Sequence, residues 1–298
     1  MEITKILWRS VRPSFLVLTP ACVGLGTSTA FASMKDANIV TALLVLLGAM
    51  AAHISVNLLN EYYDFKSGLD QLTQRSPFNG GSGALVEYPQ MALGVLGLGL
   101  GMLVLTITIG TWFIYQSGIA ILLIGALGVA LIATYTQWVN RLPTLCLIAP
   151  GLGFGIFMVI GTHIALVKEA SLLVVVVSMV PFFLVNNLLL VNQIPDLEAD
   201  RQAGRNHYLI AYGVGRALRI YLSFVFMAYG LIIAGILNGL LSWLALLALL
   251  AMPLSLFTAY GIYKHGQKIG EYLPFMATNA AAAVMVPILL AIAIFIGK

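Results

Sequence analysis

The sequence predicts an all-α, polytopic membrane protein with about nine transmembrane helices, and three observations support this prediction. Hydrophobic residues make up 60% of the 298 residues and charged residues only 9%, whereas a soluble domain carries roughly 25% charged residues. The apolar residues form runs of about twenty, the length that a helix needs to cross a bilayer. These runs lack the alternation of polar and apolar residues that marks the strands of a membrane barrel. We expect one domain over residues 1–298, surrounded by the lipid bilayer.

The first apolar segment, α1, is predicted at residues 14–33, after a short basic amino terminus, and Thr19-Pro20 interrupts it. Its end, Ala30-Phe31-Ala32, resembles a signal-peptidase site, so cleavage is the alternative to a retained helix. A polar segment reaching Pro89 separates α2 from α3, and another reaching Gly215 separates α6 from α7. Segments α2 to α9 are predicted, in chain order, at residues 39–62, 91–114, 118–135, 148–167, 172–192, 218–237, 240–260 and 273–296.

The basic residues are distributed unequally between the two sides that nine spans create. With a cytoplasmic amino terminus, three of the 15 basic residues fall outside, namely Lys35, Lys168 and Lys298. The remaining twelve fall inside: Lys5, Arg9, Arg12, Lys66, Arg75, Arg141, Arg201, Arg205, Arg216, Arg219, Lys264 and Lys268. This asymmetry follows the positive-inside rule and predicts the cytoplasmic membrane, with the amino terminus inside. The net charge of +4 therefore reflects orientation, and no nucleic-acid partner is expected.

Two clusters of carboxylate and amide side chains end α2 and α6, both on the predicted cytoplasmic side. The first reads Asn57-Leu-Leu-Asn-Glu-Tyr-Tyr-Asp-Phe-Lys-Ser-Gly-Leu-Asp70, and the second reads Asn192-Gln-Ile-Pro-Asp-Leu-Glu-Ala-Asp200. In each cluster an Asn precedes an Asp by four residues, about one helical turn, and a further Asp follows. Ionisable groups are costly in membrane helices unless they serve a function. The matched clusters therefore predict a functional site.

A group of carboxylates around one cavity is typical of a site for a hard cation. Two carboxylates 5 Å apart repel by about 3 kcal/mol at an effective dielectric constant near 20, so such a group shifts its pKa values or recruits cations. Oxygen ligands without a nearby His or Cys favour Mg²⁺, which often shares its coordination with substrate phosphates. The glycine-rich residues 79–83 either present N–H groups to such an anion or form a flexible turn. Five loop cations are candidates for binding such an anion: Lys66, Arg75, Arg141, Arg201 and Arg205.

These motifs resemble those of the UbiA superfamily of intramembrane prenyltransferases. Residues 60–70 resemble its first aspartate-rich motif, and the Tyr-Tyr-Asp-Phe and Gly-x-Asp details are most similar to the MenA branch, which uses 1,4-dihydroxy-2-naphthoate. Residues 192–205 resemble the second motif, and Tyr135-Thr136 resembles a tyrosine motif after α4. The resemblance implies nine helices around a central cavity that is open to the bilayer for an isoprenoid tail. Glu61 departs from the Asp of many members, so its role stays open.

The resemblance also implies roles for individual residues. Catalysis would involve Asp64, Asp196 and Tyr135, although Tyr135 alternatively belongs to the aromatic belt at the membrane surface. The Mg²⁺ ligands would be Asn60, Asp64, Asp70, Asn192, Asp196 and Asp200, and the loop cations would bind the diphosphate.

The implied function is Mg²⁺-dependent transfer of a polyprenyl group from its diphosphate to an aromatic acceptor. The expected acceptor is 1,4-dihydroxy-2-naphthoate, in menaquinone biosynthesis; 4-hydroxybenzoate, homogentisate or a non-quinone lipid is the alternative. An ion-coupled transporter is the competing class, but it would place its ionisable residues near mid-membrane. No oligomeric state is predicted.

Overall fold

The computed structural model describes residues 2–33 and 37–297, and across these ranges the chain forms helices and no strand. The predicted all-α class is therefore confirmed. Lys35 and Lys298, two of the three cations expected on the outer side, lie outside the described residues.

The nine predicted segments are all helical. Their observed bounds are α1 Pro13–Ala32, α2 Ile39–Lys66, α3 Pro89–Ser117, α4 Ile119–Thr134, α5 Pro143–Val167, α6 Leu172–Asn192, α7 Tyr208–Leu237, α8 Trp243–Glu271 and α9 Leu273–Ile296. Among the described residues, eight helices are long and apolar enough to cross a membrane. The exception is α4, whose 16 residues fall slightly short of the roughly 17–25 that a span needs.

Helices α2 and α7 extend beyond their predicted bounds into the segments that carry the acidic clusters. Helix α2 continues one turn past the predicted end and reaches Lys66, so that Asp64 lies within the helix. Helix α7 begins at Tyr208, ten residues before its predicted start, and is kinked at Gly213 (φ 77°, ψ 164°). The apolar pattern underestimates the length of both helices, because the helical backbone continues into residues with polar side chains at the membrane surface.

Helices α5 and α6 approach each other backbone to backbone. A Cβ atom added at Gly151 would lie 2.3 Å from the carbonyl oxygen of Phe182, and one added at Gly155 would lie 2.4 Å from its nitrogen. The side-chain oxygen of Asn186 accepts a hydrogen bond from the Gly151 N–H at 2.6 Å, just before the π-helical turn Leu152–Met158. Small residues permit such close contact between membrane helices. This contact fixes α6, which carries the second acidic cluster at its end.

A buried polar network joins α6 to α7 and α9. The Nδ2 of Asn187 donates to the Tyr221 carbonyl at 3.0 Å, and the Tyr221 hydroxyl donates to Oδ1 of Asn279 at 3.1 Å. The Nδ2 of Asn279 in turn donates to the carbonyl of Asn187 at 3.1 Å. Because polar groups inside a membrane protein need protein partners, this network holds the three helices in one arrangement.

The amino-terminal helix Glu2–Val11 packs beside the segment that connects α2 to α3, residues 67–88, which we call the cap. Ile6 and Val11 are buried, whereas Trp8 is 63% exposed, an amphipathic arrangement suited to a membrane surface. The guanidinium of Arg9 makes two 2.7 Å hydrogen bonds to Glu87 near the end of the cap. The amino terminus thus fastens the cap over the end of α2.

Candidate active site

A cavity of about 720 Å³ lies between α2, α3, α4, α5 and α6. Most of its wall is apolar and belongs to the membrane helices, with Val45, Ile109, Ile124 and Phe157 as examples. One end is polar. All the predicted metal ligands, the predicted tyrosine and one predicted cation line that end: Asn60, Asp64, Asp70, Asn192, Asp196, Asp200, Tyr135 and Arg205.

Arg205 connects the two acidic clusters. Its Nη2 contacts Oδ1 of Asp64 on α2, and its Nη1 donates to Oδ1 of Asp200 at 2.9 Å. The other oxygen of Asp200 lies 2.9 Å from Nε2 of the buried His207. Asp64 is 6% exposed and Asp200 only 1% exposed. Buried carboxylates are costly without compensation, so the guanidinium stabilises both of them here.

Asp196 is held by the cap. The Nδ2 of Asn79 donates to one carboxylate oxygen at 2.7 Å, and the N–H of Gly80 donates to the other at 3.0 Å. Burial raises the pKa of Asp196 to about 6, although the hydrogen bond from Asn79 acts in the opposite direction. Within the glycine-rich residues 79–83, one side-chain amide and one backbone N–H therefore donate to a carboxylate of the second motif.

Glu61 faces away from the cavity and anchors the cap to the amino-terminal segment. Its side chain is fully buried and pairs with Nη2 of Arg12 at 3.0 Å. The N–H of Ser82 donates to Glu61 Oε2 at 3.2 Å, and the Ser82 hydroxyl donates to Oε1. Glu61 does not line the cavity, which gives this residue a structural role where the sequence left its role open.

Asp70 lies on the short helix Leu69–Leu72 and is only 3% exposed. Burial, reinforced by the nearby negative charges of Glu61 and Asp64, raises the pKa of Asp70 to about 7. Its Oδ2 has no hydrogen-bond partner among the described residues. A Cβ at Gly81, whose φ is +71°, would lie 2.6 Å from Oδ1 of Asp70, so the glycine-rich part of the cap approaches this carboxylate closely only because residue 81 is glycine.

The amides complete the polar end of the cavity. Nδ2 of Asn60 donates to the Thr136 hydroxyl at 3.2 Å, so this hydrogen bond uses the nitrogen of the amide and not its oxygen. The side-chain oxygen of Asn192 is buried and, within the described chain, has no partner. Unpartnered oxygens at Asn192 and Asp70 are the donor type that Mg²⁺ prefers.

The carboxylates are not preassembled around an ion. In the parts of the chain that the structure describes, no three His, Cys, Asp or Glu side chains converge as a ready-made metal site. Asp64 and Asp200 hold Arg205 instead, and Asp196 holds the cap. Binding of Mg²⁺ would therefore require an exchange of partners at these carboxylates.

The five predicted diphosphate-binding cations occupy three different environments. Arg205 lines the cavity, whereas Lys66 and Arg141 line a second pocket on its surface side. Arg75 is exposed and donates to the backbone carbonyl of Asp70 at 2.6 Å. Arg201 is 54% exposed and lies 3.7 Å from Glu198 on the surface. Neither Arg75 nor Arg201 lines the cavity.

Arg12 is a cavity residue that sequence reasoning missed. It has a left-handed backbone conformation (φ 56°, ψ 66°) between the amino-terminal helix and Pro13 of α1, which directs the chain back toward the cap. Its guanidinium pairs with Glu61 while the residue lines the polar end of the cavity. The available signal was its position, immediately before a membrane helix and on the same side as both acidic clusters.

Comparison with known proteins gives consistent results. The sequence profile of the UbiA prenyltransferase family matches residues 17–279. A 1,4-dihydroxy-2-naphthoate octaprenyltransferase of Bacillus subtilis is 28% identical over 253 residues, covering 84% of this chain and 79% of that protein. The enzyme of the same name from Haemophilus influenzae is 25% identical and covers 99% of this chain and 97% of its own length.

Solved structures show the same fold. A UbiA homolog from Archaeoglobus fulgidus bound to DMAPP and Mg²⁺ has a TM-score of 0.65 at 16% identity, covering 94% of this chain and 98% of that one. The apo structure of a UbiA homolog from Aeropyrum pernix K1 also has a TM-score of 0.65, at 20% identity, with coverage of 95% and 97%.

Proposed function

Since the chain belongs to the UbiA prenyltransferase family and is a membrane-embedded prenyltransferase, we propose that it transfers a polyprenyl group from its diphosphate to an aromatic acceptor. The proposed acceptor is 1,4-dihydroxy-2-naphthoate, which would place the enzyme in menaquinone biosynthesis. The names of the Bacillus and Haemophilus relatives and the form of the first motif both support this acceptor.

One observation carries the proposal. Two acidic clusters that are more than 120 positions apart meet at one polar end of a long apolar cavity, joined by the contacts of Arg205 with Asp64 and Asp200. Such a cavity suits a substrate with a charged head and an apolar tail. The tail is stabilised by burial, at about 0.8 kcal/mol per CH₂ relative to water, although the bilayer competes for it.

The chemistry of the donors fits Mg²⁺. The ligands would come from Asn60, Asp64, Asp70, Asn192, Asp196 and Asp200, all of which line the polar end. When bound, Mg²⁺ would neutralise charge on the diphosphate as the leaving group departs. The Mg²⁺ in the Archaeoglobus structure supports the same metal for this chain.

The chain's own residues would serve the reaction in three ways. Arg12 and Arg205 would stabilise the diphosphate as the allylic C–O bond breaks and its electron pair leaves with the diphosphate. The apolar walls would exclude water from the resulting allylic cation, and the ring of Tyr135 would offer it an electron-rich face. A ring carbon of the acceptor then forms the new C–C bond, and the ring regains aromaticity by releasing a proton.

The proposed orientation has the amino terminus and both acidic clusters on the cytoplasmic side. The cations Arg9, Arg12, Arg205 and Arg141 cluster around the polar end of the cavity or its cap, as the positive-inside rule favours for the cytoplasmic face. A soluble aromatic acid would then arrive from the cytoplasm, and the isoprenoid tail from the bilayer.

The test is direct product analysis. Membranes containing the protein are incubated with Mg²⁺, a polyprenyl diphosphate and each candidate acceptor in turn, and lipid products are identified by mass. We expect prenylation of 1,4-dihydroxy-2-naphthoate, and loss of product with Asp64→Asn. Prenylation of 4-hydroxybenzoate but not of the naphthoate would refute the acceptor and leave the transferase reaction intact.

A further inference from the structure

A second pocket, of about 400 Å³, lies on the surface side of the main cavity. We call it the vestibule. Its wall includes Lys66 at the end of α2, and Trp138 and Arg141 in the loop between α4 and α5. Asp64, Asn140 and Arg205 line both the vestibule and the main cavity. The two spaces therefore meet at the carboxylate to which the metal is assigned.

The vestibule carries cations without acidic partners. Lys66 and Arg141 are both exposed, and within the described chain neither forms an ion pair. The Nζ of Lys66 lies 5.9 Å from the centre of the Tyr62 ring. Two uncompensated cations beside one pocket favour an anionic ligand.

Two further features point to an aromatic ligand. Trp138 is 66% exposed and offers a ring face for stacking at the vestibule wall. The side-chain oxygen of Asn140 is buried and has no hydrogen-bond partner in the described residues, while its amide nitrogen donates to the Thr136 carbonyl. That oxygen can accept a hydrogen bond from a ring hydroxyl.

The diphosphate has cations of its own. Arg12 and Arg205 line the main cavity at its acidic end, whereas Lys66 and Arg141 do not line that cavity and lie farther toward the surface. A diphosphate bound through metal to Asp64 and Asp196 would be closer to the first pair. Lys66 and Arg141 are then free for the other substrate.

We infer that the vestibule binds the acceptor as a hydroxylated aromatic carboxylate. Lys66 and Arg141 hold the carboxylate, Asn140 accepts from a ring hydroxyl, and the ring reaches the main cavity past Asp64. The inference rests on the proposed function, and it reassigns Lys66 and Arg141 from the diphosphate to the acceptor. The exposed cations also attract the anionic acceptor from the cytoplasm.

The experiment compares Michaelis constants for the two substrates in purified full-length protein. We expect Lys66→Gln and Arg141→Gln each to raise KM for the naphthoate about tenfold, the ratio that corresponds to the loss of one ionic contact of about 1.4 kcal/mol. The KM for polyprenyl diphosphate should change less than about twofold, because its cations remain. The matched control is Arg219→Gln, an exposed arginine on α7 outside both pockets.

A neutral acceptor separates charge recognition from structural damage. With 1,4-naphthalenediol, which lacks the carboxylate, Arg141→Gln should leave KM unchanged. An equal rise in KM for the diol would overturn the inference, since the arginine would then not recognise the carboxylate. A rise in KM for the polyprenyl diphosphate, with no rise in KM for the acceptor, would overturn the inference as well.

Binding without turnover provides an independent readout. Added naphthoate should quench Trp138 fluorescence with Mg²⁺ and diphosphate absent, and Trp138→Phe should remove that part of the signal. Quenching with unchanged affinity in the double variant Lys66→Gln/Arg141→Gln would contradict binding of the acceptor in the vestibule. If wild-type protein prenylates 4-hydroxybenzoate but not the naphthoate, and does so with the same dependence on Arg141, the vestibule is supported while the naphthoate is refuted. Quenching by the naphthoate in a protein that prenylates no acceptor would support the vestibule and refute the transferase reaction.

Discussion

The guanidinium of Arg205 contacts the carboxylate of Asp64, 141 positions earlier in the chain. This contact lies at the boundary between the main cavity and the vestibule, and it ties the end of α2 to the loop after α6. It also places a positive charge between Asp64 and Asp200, where the proposed metal would supply one.

Replacing Arg205 with Ala should destabilise the metal-free protein strongly. Removing one partner of a buried ion pair costs about 3–5 kcal/mol, because the remaining carboxylates keep their burial without compensation. Added Mg²⁺ should restore part of this loss by compensating the same carboxylates. Thermal unfolding in detergent with EDTA or with Mg²⁺ measures both effects. Arg201→Ala, which removes a half-exposed surface pair with Glu198, should change stability by less than about 1 kcal/mol.

Replacing Asp196 with Asn should abolish activity and leave the protein folded and inserted. The variant keeps an acceptor oxygen for Asn79 or Gly80, so its stability should fall by only about 1 kcal/mol. Loss of a residue that only supports a metal ligand reduces metal affinity or activity by up to about 100-fold. Loss of the ligand itself should therefore reduce activity by more than about 100-fold. Glu198→Gln, two residues away with a 70% exposed side chain, is the matched control. Turnover by purified protein without Mg²⁺ would contradict the assigned role.

The metal-free protein should be more stable at pH 6 than at pH 8. The pKa of Asp70 is raised from its ordinary value of 3.8 to about 7, and that of Asp196 to about 6. Between these ordinary and raised values the folded protein binds more protons than the unfolded chain, so stability falls as pH rises through 6 to 7.

Melting temperatures in EDTA from pH 5.5 to 8.5 measure this slope. Asp70→Asn should flatten the slope near pH 7, and Mg²⁺ added together with a polyprenyl diphosphate should reverse the trend because the metal binds the charged carboxylates. A melting temperature that rises steadily with pH in EDTA would show that these groups are charged in the folded protein.

Cysteine labelling should place both loops on the cytoplasmic side. Because the hydroxyl of Ser76 contacts Oδ1 of Asn79, the neighbouring exposed Pro77 is the better position for a cysteine in the cap. A cysteine at Pro77 should react only from the cytoplasm, and one at the exposed Ala170 only from outside. The native Cys22 and Cys146 are both buried, so they give a low background. The reverse pattern would overturn the orientation.

The apolar segments and the convergence of the two acidic clusters were predictable because both follow from side chains spaced along helices. His53, Asn57, Asn60 and Asp64 recur at helical spacing, and all four line the cavity. The loop cations were less predictable, since nothing in the local sequence distinguishes Arg205, whose side chain is only 17% exposed, from the exposed Arg201.

The role of Arg12 depends on long-range geometry. Its left-handed backbone turns the chain before α1, and its partner Glu61 lies 49 positions later. The same contact explains why Glu61 does not line the cavity, whereas Asn60 and Asp64 do. Although it is adjacent to Asn60 in sequence, it lies on another side of α2 and is buried against the amino-terminal segment.

The hydrogen bonds between the cap and Asp196 affect the order in which the metal and the prenyl donor bind. A free Mg²⁺ ion would have to displace the hydrogen bonds of Asn79 and Gly80 and offer those donors no new acceptor. An ion that arrives already complexed with diphosphate brings oxygens that can accept from the released N–H groups and from Arg205. We therefore expect the resting enzyme to discriminate against bare divalent ions and to take up metal and prenyl donor as a single unit.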